Sequence, residues 1–232
     1  MKSNNLTDNK DTNEISKPFP KSNNGENSTE DRRMEEIANA FRESNRTDAQ
    51  NLKGPDLEDF QKEFIFEYAN KNNLWIKELY SLGVATGVGG NENCLAYNNE
   101  EGVVYKSNNL YNVKFLLSNF FEKLILHNLI FPNTKYTFVG FTGHKIGKTP
   151  YVEPIAKQDF IQDATQATEE EIKAYMVSLG FSNTFEDVYR YDGLVVHDLK
   201  PRNVLKDKYG DIYVIDAEFI QDAELPQFQI IE

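Results

Sequence analysis

The chain is poor in the residues that mark several protein classes. It has a single cysteine, Cys94, so no disulfide can close within it and no multi-cysteine zinc site can form. A reducing cytosolic setting fits that usage. Basic residues are outnumbered, with 25 Lys and Arg against 37 Asp and Glu and a formal net charge of −12. No basic patch or tail is evident, so a nucleic-acid backbone is not an expected partner. No segment approaches the ~20 apolar residues that cross a bilayer. Met1 to Asn27 holds only scattered apolar side chains and lacks the apolar run of a secretory signal, so no membrane partner is expected either. His127 and His144 have no metal-ligating residues at suitable spacing and read as structural or surface side chains.

A length of 232 residues allows one or two domains with a real core. Residues 1 to about 30 are rich in Asn, Ser, Lys and Asp and bury too little to offset chain entropy, which predicts disorder. Met34, Ile37 and Phe41 fall at helical spacing, so a short helix is expected near 34–43 within a polar tail or linker covering 1–55. Gly54-Pro55 breaks the chain. Asp56 can cap a helix reaching about Asn70, with Phe60, Phe64 and Tyr68 in register, and the ordered domain is expected over 56–232.

The most specific signal lies near the end of the sequence, in His197-Asp198-Leu199-Lys200-Pro201-Arg202-Asn203 followed by Asp216. An Asp, a Lys two residues on and an Asn five residues on supply what a phosphotransferase loop needs. They can accept the proton of an attacking hydroxyl, neutralise the moving phosphoryl group and hold Mg²⁺. A second Asp must then reach the same site. The segment Tyr209-Gly210-Asp211-Ile212-Tyr213-Val214-Ile215 is a turn and a β-branched run suited to a hairpin that returns Asp216.

Upstream, Tyr80 to Ala85 reads as a strand, followed by the glycine-rich turn Thr86-Gly87-Val88-Gly89-Gly90-Asn91-Glu92-Asn93. Glycines there let backbone N–H groups approach phosphates. The third glycine of a Gly-x-Gly-x-x-Gly spacing is replaced by Glu92, and a plain hairpin tip is an equal reading. Cys94 to Tyr97 and Val103 to Lys106 follow as strands across a tight turn. Lys106 ends the apolar Val-Val-Tyr-Lys strand, where it can hold phosphates or be an ordinary strand-end lysine. Glu122, on an apolar helix expected from about Tyr111 to Leu129, is its expected charge partner, with a solvated Glu beside Lys123 as the rival. Lys135 to Thr142 and Tyr151 to Ala156 complete five strands. Lys157-Gln158-Asp159-Phe160-Ile161 would be the hinge, with Gln158 either at the nucleotide mouth or structural. Thr168-Glu169-Glu170-Glu171 starts a further helix that stops near Gly180, and Leu194 to Val196 forms the strand leading into the Asp198 loop.

Roughly residues 70–220 resemble the small serine/threonine/tyrosine kinase domain of polyvalent proteins, the multidomain proteins of phages and other bacterial mobile elements. The loops of Asp198 and Asp216 are also similar to those of the wider protein-kinase-like superfamily. The likeness rests on Gly89-Gly90-Asn91-Glu92-Asn93, Val104-Tyr105-Lys106, His127-Asn128-Leu129-Ile130-Phe131-Pro132, Gly140-Phe141-Thr142, Leu179-Gly180-Phe181 and the loops of Asp198 and Asp216. The resemblance implies an α+β, minimal two-lobed kinase-like fold. Its N-lobe of about 74–157 would hold a five-stranded antiparallel sheet and one helix, with a hinge at 157–161 and a truncated C-lobe over 162–232. It implies ATP and Mg²⁺ as cofactors, Asp198 as base, Lys200 on the γ-phosphate, Asn203 and Asp216 on the metal, and Lys106 on the nucleotide. Gly87, Gly89, Gly90, Glu122 and Gln158 complete the expected nucleotide site.

The departures from the pattern are informative. His197 precedes Asp198 where many regulated kinases carry an arginine. Ala217-Glu218 replaces the usual Phe-Gly after Asp216, and the sequence ends soon afterwards at Glu232. Control by activation-loop phosphorylation is therefore not expected, and a peptide platform would have to come from elsewhere. The expected activity is transfer of the γ-phosphoryl group of ATP to a hydroxyl on a protein. A small-molecule kinase acting on an antibiotic or sugar, and a non-catalytic nucleotide-binding or interaction module, are the competing readings.

Overall fold

The computed structural model describes residues 28–48, 51–86, 93–111, 116–145 and 147–221. Helix α1 (Thr29–Thr47) opens on Ser28, whose side chain accepts the Asp31 N–H at 3.2 Å, with Glu30 and Asp31 complementing the helix dipole. Met34, Ile37, Ala38 and Phe41 form its apolar stripe and are fully or almost fully buried. Helix α2 (Pro55–Lys71) starts on a proline whose fixed φ suits the first helical position, and it buries Ile65 and Ala69.

A five-stranded antiparallel sheet follows, built from β1 (Val84–Ala85), β2 (Asn93–Asn98), β3 (Val103–Asn108), β4 (Thr137–Lys145) and β5 (Pro150–Asp159) in the order β1-β2-β3-β5-β4. Helix α3 (Leu117–Ile130) links β3 to β4. At the β4 edge the chain after α2 adds a parallel bridge from Trp75 to Phe141. Gly140 permits this approach, because a Cβ there would stand 2.4 Å from the Leu74 carbonyl oxygen.

The remainder is α4 (Glu169–Ser178) with two small antiparallel sheets. The first joins β6 (Thr165–Gln166), β10 (Val204–Lys206) and β11 (Ile212–Val214); the second joins β7 (Ser182–Phe185), β8 (Val188–Tyr191), β9 (Leu194–His197) and β12 (Glu218–Gln221). α4 carries the full capping box of Thr168 and Glu171. Two apolar cores meet at α3. Phe120, Phe121, Leu124 and Ile125 join α1, α2, β4 and β5 in one. Leu126 and Ile130 join α4, β8, β9, β10 and β11 in the other.

Four expectations change. The helix placed near 34–43 runs over Thr29–Thr47 and shares a core with α2 and α3, so it is no detached tail element. A buried polar link reinforces that packing, since Asn128 Nδ2 donates to Asp31 Oδ1 at 2.8 Å. The expected strand at 80–85 is a 3₁₀ turn, Leu79–Ser81, followed by the short β1. Helix α3 begins at Leu117 rather than near Tyr111. Strand β5 continues through Asp159 in register with Val103, so Lys157, Gln158 and Asp159, expected in a hinge, are strand residues and the connection to β6 comprises 160–164. Residues Gly87, Gly89 and Gly90, and the tail 1–27, lie outside the described residues.

Candidate active site

Strand β9 is buried through Leu194, Val195 and Val196 and delivers Asp198 at its end. Asp198 adopts φ +58°, a left-handed conformation that Asp tolerates better than most residues and that recurs at functional turns. Leu199 anchors the loop in the second core. Pro201 then opens a 3₁₀ turn, Pro201–Asn203, whose side chains fold back on Asp198. Asn203 Nδ2 donates to the Asp198 carbonyl at 2.7 Å and to Oδ2 at 2.9 Å. Arg202 Nη2 donates to both carboxylate oxygens, at 2.8 and 3.1 Å. Lys200 Nζ stands 3.3 Å from Oδ1 and 3.7 Å from Asp187.

The β10–β11 hairpin pairs Val204 with Val214 and Lys206 with Ile212, which returns the chain beside Asn203. There the Asn203 carbonyl accepts the Ile215 N–H at 2.9 Å and the Asp216 N–H at 3.4 Å. Asn203 therefore fixes Asp198 with its side chain and the Asp216 segment with its backbone.

Lys106 enters from β3. Its Nζ donates to the Ile215 carbonyl at 2.8 Å and to Tyr136 Oη at 3.1 Å, and Tyr136 Oη donates to the same carbonyl at 2.8 Å. Burial pulls the Lys106 ammonium down to about 8; Asp216 opposes this and Lys123 adds to it. Burial alone would raise the Asp216 carboxyl, but Lys123 and Lys106 hold it below the ordinary Asp range. Lys106, Lys123, Tyr136, Asp216, Asn93 and Asn108 all line one small cavity.

Two expected contributors lie elsewhere. Glu122 does not pair with Lys106, whose hydrogen bonds go to neutral oxygens and whose carboxylate neighbour is Asp216. It acts instead on Arg42 of α1, a guanidinium that burial disfavours and that Glu122 and Glu35 support. The reason is helical phase. Lys123 shares the stripe of Leu126 and Ile130, which faces the second core, whereas Glu122 is turned a residue away toward α1. Lys123 reaches the site, 3.3 Å from Asp216 Oδ1 and 2.5 Å from Glu218 Oε1, and these carboxylates raise its ammonium against the opposing effect of burial. Counting the stripe back from Leu126 would have found it.

Gln158 is buried rather than at a mouth. Its Nε2 donates to the Thr134 carbonyl at 2.6 Å beside His127, whose Nε2 also meets Thr134. His127 is a core residue and His144 an exposed one stacked on Tyr151. Tyr136, Arg202 and Glu218 carried no spacing signal in the sequence.

The elements that bring Lys106, Asp198, Asn203 and Asp216 together all lie within the stretch that the family comparison matches. The sequence pattern described as Serine/Threonine/Tyrosine Kinase found in polyvalent proteins matches residues 58–222. No curated protein is similar enough to the chain to count as a match. With most of its length covered by that pattern, the chain belongs to the serine/threonine/tyrosine kinases found in polyvalent proteins and is a phosphotransferase.

Proposed function

We propose that the chain binds Mg²⁺–ATP between the five-stranded sheet and the two smaller sheets, and transfers the γ-phosphoryl group to a hydroxyl on a protein. In this reading the five-stranded sheet with α3 is the small lobe, and α4 with the smaller sheets is a short second lobe. The observation that carries it is the convergence of Asp198, Asp216 and Lys106 through Asn203 and the Ile215 carbonyl. In this reading Asp198 is the base, Asp216 an oxygen donor for a metal and Lys106 a cation for phosphate, and their convergence supports it.

The donor set suits Mg²⁺. Asn203 commits its Nδ2 to Asp198, which leaves its amide oxygen as an acceptor, and Asp216 supplies a carboxylate. Among the described residues no three His, Cys, Asp or Glu side chains converge. Mg²⁺ characteristically rests on one or two carboxylates and completes its shell with phosphates and water. When bound, Mg²⁺ supplies neutralisation of charge across the β- and γ-phosphates.

Lys106 holds the nucleotide phosphates. Its ammonium is positioned by two neutral oxygens, so its charge is not consumed by a bonded carboxylate. Asp198 orients the acceptor hydroxyl and takes its proton as the oxygen attacks Pγ. The Pγ–O bond to the β-phosphate breaks, and its electron pair leaves with ADP. Lys200 steadies the γ-phosphoryl oxygens. Positioning and electrostatics carry most of the acceleration in such chemistry.

A small-molecule acceptor is the second reading, favoured by one observation. A cavity of about 630 Å³ opens beside Lys200 and Pro201, lined by Glu169, Glu170, Glu186 and Asp187, an acidic setting suited to a polycationic hydroxyl compound such as an aminoglycoside. Incubation with γ-labelled ATP and Mg²⁺ against a panel of proteins, aminoglycosides and sugars tests both. Label in protein supports the first reading, label only in a small molecule supports the second, and ATP binding without transfer to any acceptor contradicts both.

A further inference from the structure

The helix that faces the site carries a cation where a carboxylate was expected, and that cation is already engaged. Lys123 Nζ bridges Asp216 Oδ1 at 3.3 Å and Glu218 Oε1 at 2.5 Å, with its side chain only 14% exposed. The two carboxylates converge for a local reason. Ala217 between them is buried in the second core, to which α3 also contributes, and this anchor brings Asp216 and Glu218 on either side of it within reach of Lys123 on α3. Two half-buried carboxylates on one face repel each other unless a cation lies between them. Lys106 acts on Asp216 only through space, its two hydrogen bonds going to Tyr136 and the Ile215 carbonyl, and it forms no contact with Glu218 among those described.

We infer that Lys123 is an internal cation seated on a site formed by Asp216 and Glu218, and that a divalent ion reaches Asp216 in competition with it. The inference rests on Asp216 being a metal residue, as argued above, and adds Glu218 and Lys123 to that site. Before a metal arrives, Lys123 neutralises the pair and holds the β11–β12 segment against α3. A divalent ion takes over that neutralisation and releases the ammonium, which lines the same cavity as Lys106 and can turn to the nucleotide phosphates. Metal alone therefore binds weakly, and nucleotide strengthens its binding by giving the displaced ammonium a new partner.

Mn²⁺ is the probe, titrated into the nucleotide-free protein while the free ion is followed by its paramagnetic resonance signal. Lys123→Gln removes the competitor and should tighten Mn²⁺ binding by about tenfold, the scale of one partly buried charge interaction, whereas Lys123→Arg keeps the charge and should stay near wild type. Equal affinities in wild type and Lys123→Gln overturn the inference while leaving the kinase reading intact. Absence of Mn²⁺ binding in every variant, with and without nucleotide, overturns the metal role of Asp216 as well. Should Lys123→Gln fail to fold, Glu218→Gln decides: it removes a site carboxylate and concentrates the ammonium on Asp216, so it must weaken Mn²⁺ binding, and an unchanged affinity contradicts the inference.

Discussion

Asn203 holds Asp198 by two hydrogen bonds from one amide nitrogen, 2.7 Å to the backbone carbonyl and 2.9 Å to Oδ2. Replacing it with Asp keeps an oxygen for a metal but removes both donors and sets two carboxylates face to face. Asn203→Asp should therefore lower turnover by about a hundredfold or more, the scale of a misplaced general base. Steady-state kinetics would check this, and a near-normal kcat would dissociate the amide from the placement of Asp198.

Asp198→Asn should reduce kcat by about 10²–10⁴-fold, the range for loss of a general base, with ATP binding kept because Lys106 and Asp216 are untouched. Parallel kcat and nucleotide-affinity measurements separate the two effects. Near-normal turnover in Asp198→Asn would remove the residue from the chemistry.

His127 predicts an acid-labile fold. Burial, together with the nearby Lys106, pulls its imidazole from 6.5 to about 3, and its Nδ1 is buried without a hydrogen-bond partner. Between those two values the unfolded chain takes up a proton that the folded one refuses, so stability rises with pH and is lost as pH falls below 6.5. The contribution is about 1.4 kcal/mol per pH unit. Denaturant unfolding at pH 6.5 and pH 5 should show this slope, and His127→Leu should flatten it by about one proton whatever its absolute stability. Identical slopes in both proteins would locate the acid sensitivity elsewhere.

Helix α1 should behave as part of the core. Phe41 is fully buried against Phe64, with ring centroids 5.7 Å apart, so Phe41→Ala should cost about 3–5 kcal/mol. Equilibrium unfolding measures it. A loss below about 1 kcal/mol would mean that α1 is dispensable, as a linker helix would be.

What the sequence disclosed and what it hid divide along physical lines. The meeting of the Asp198–Asn203 loop with Asp216 was legible because a short hairpin, marked by its turn and β-branched run, joins them. Strands β2 to β5 and helix α4 were legible from alternation and from the Thr168–Glu171 cap. The core role of α1 was hidden, because its apolar stripe is short and interrupted by charges, and only the partner surface on α3 shows where Met34 and Phe41 go. The choice between Glu122 and Lys123 turned on a single step of helical phase, about 100°, which pairing logic based on charge alone does not see. Gln158 was ambiguous because burial is a tertiary property: the same residue type would serve at an open mouth.

Thermal unfolding against ATP with and without Mg²⁺, for wild type and Asp216→Ala in parallel, tests the central claim most directly. Asp216→Ala also deprives Lys106 and Lys123 of a charge partner, so the ligand-induced shift of each protein is compared rather than its absolute midpoint. At about a hundred times the dissociation constant, ATP with Mg²⁺ should stabilise wild type by about 2.7 kcal/mol, and Asp216→Ala should lose the Mg²⁺-dependent part of that shift. No shift in wild type, or an equal Mg²⁺-dependent shift in both proteins, would contradict a metal–nucleotide site built on Asp216.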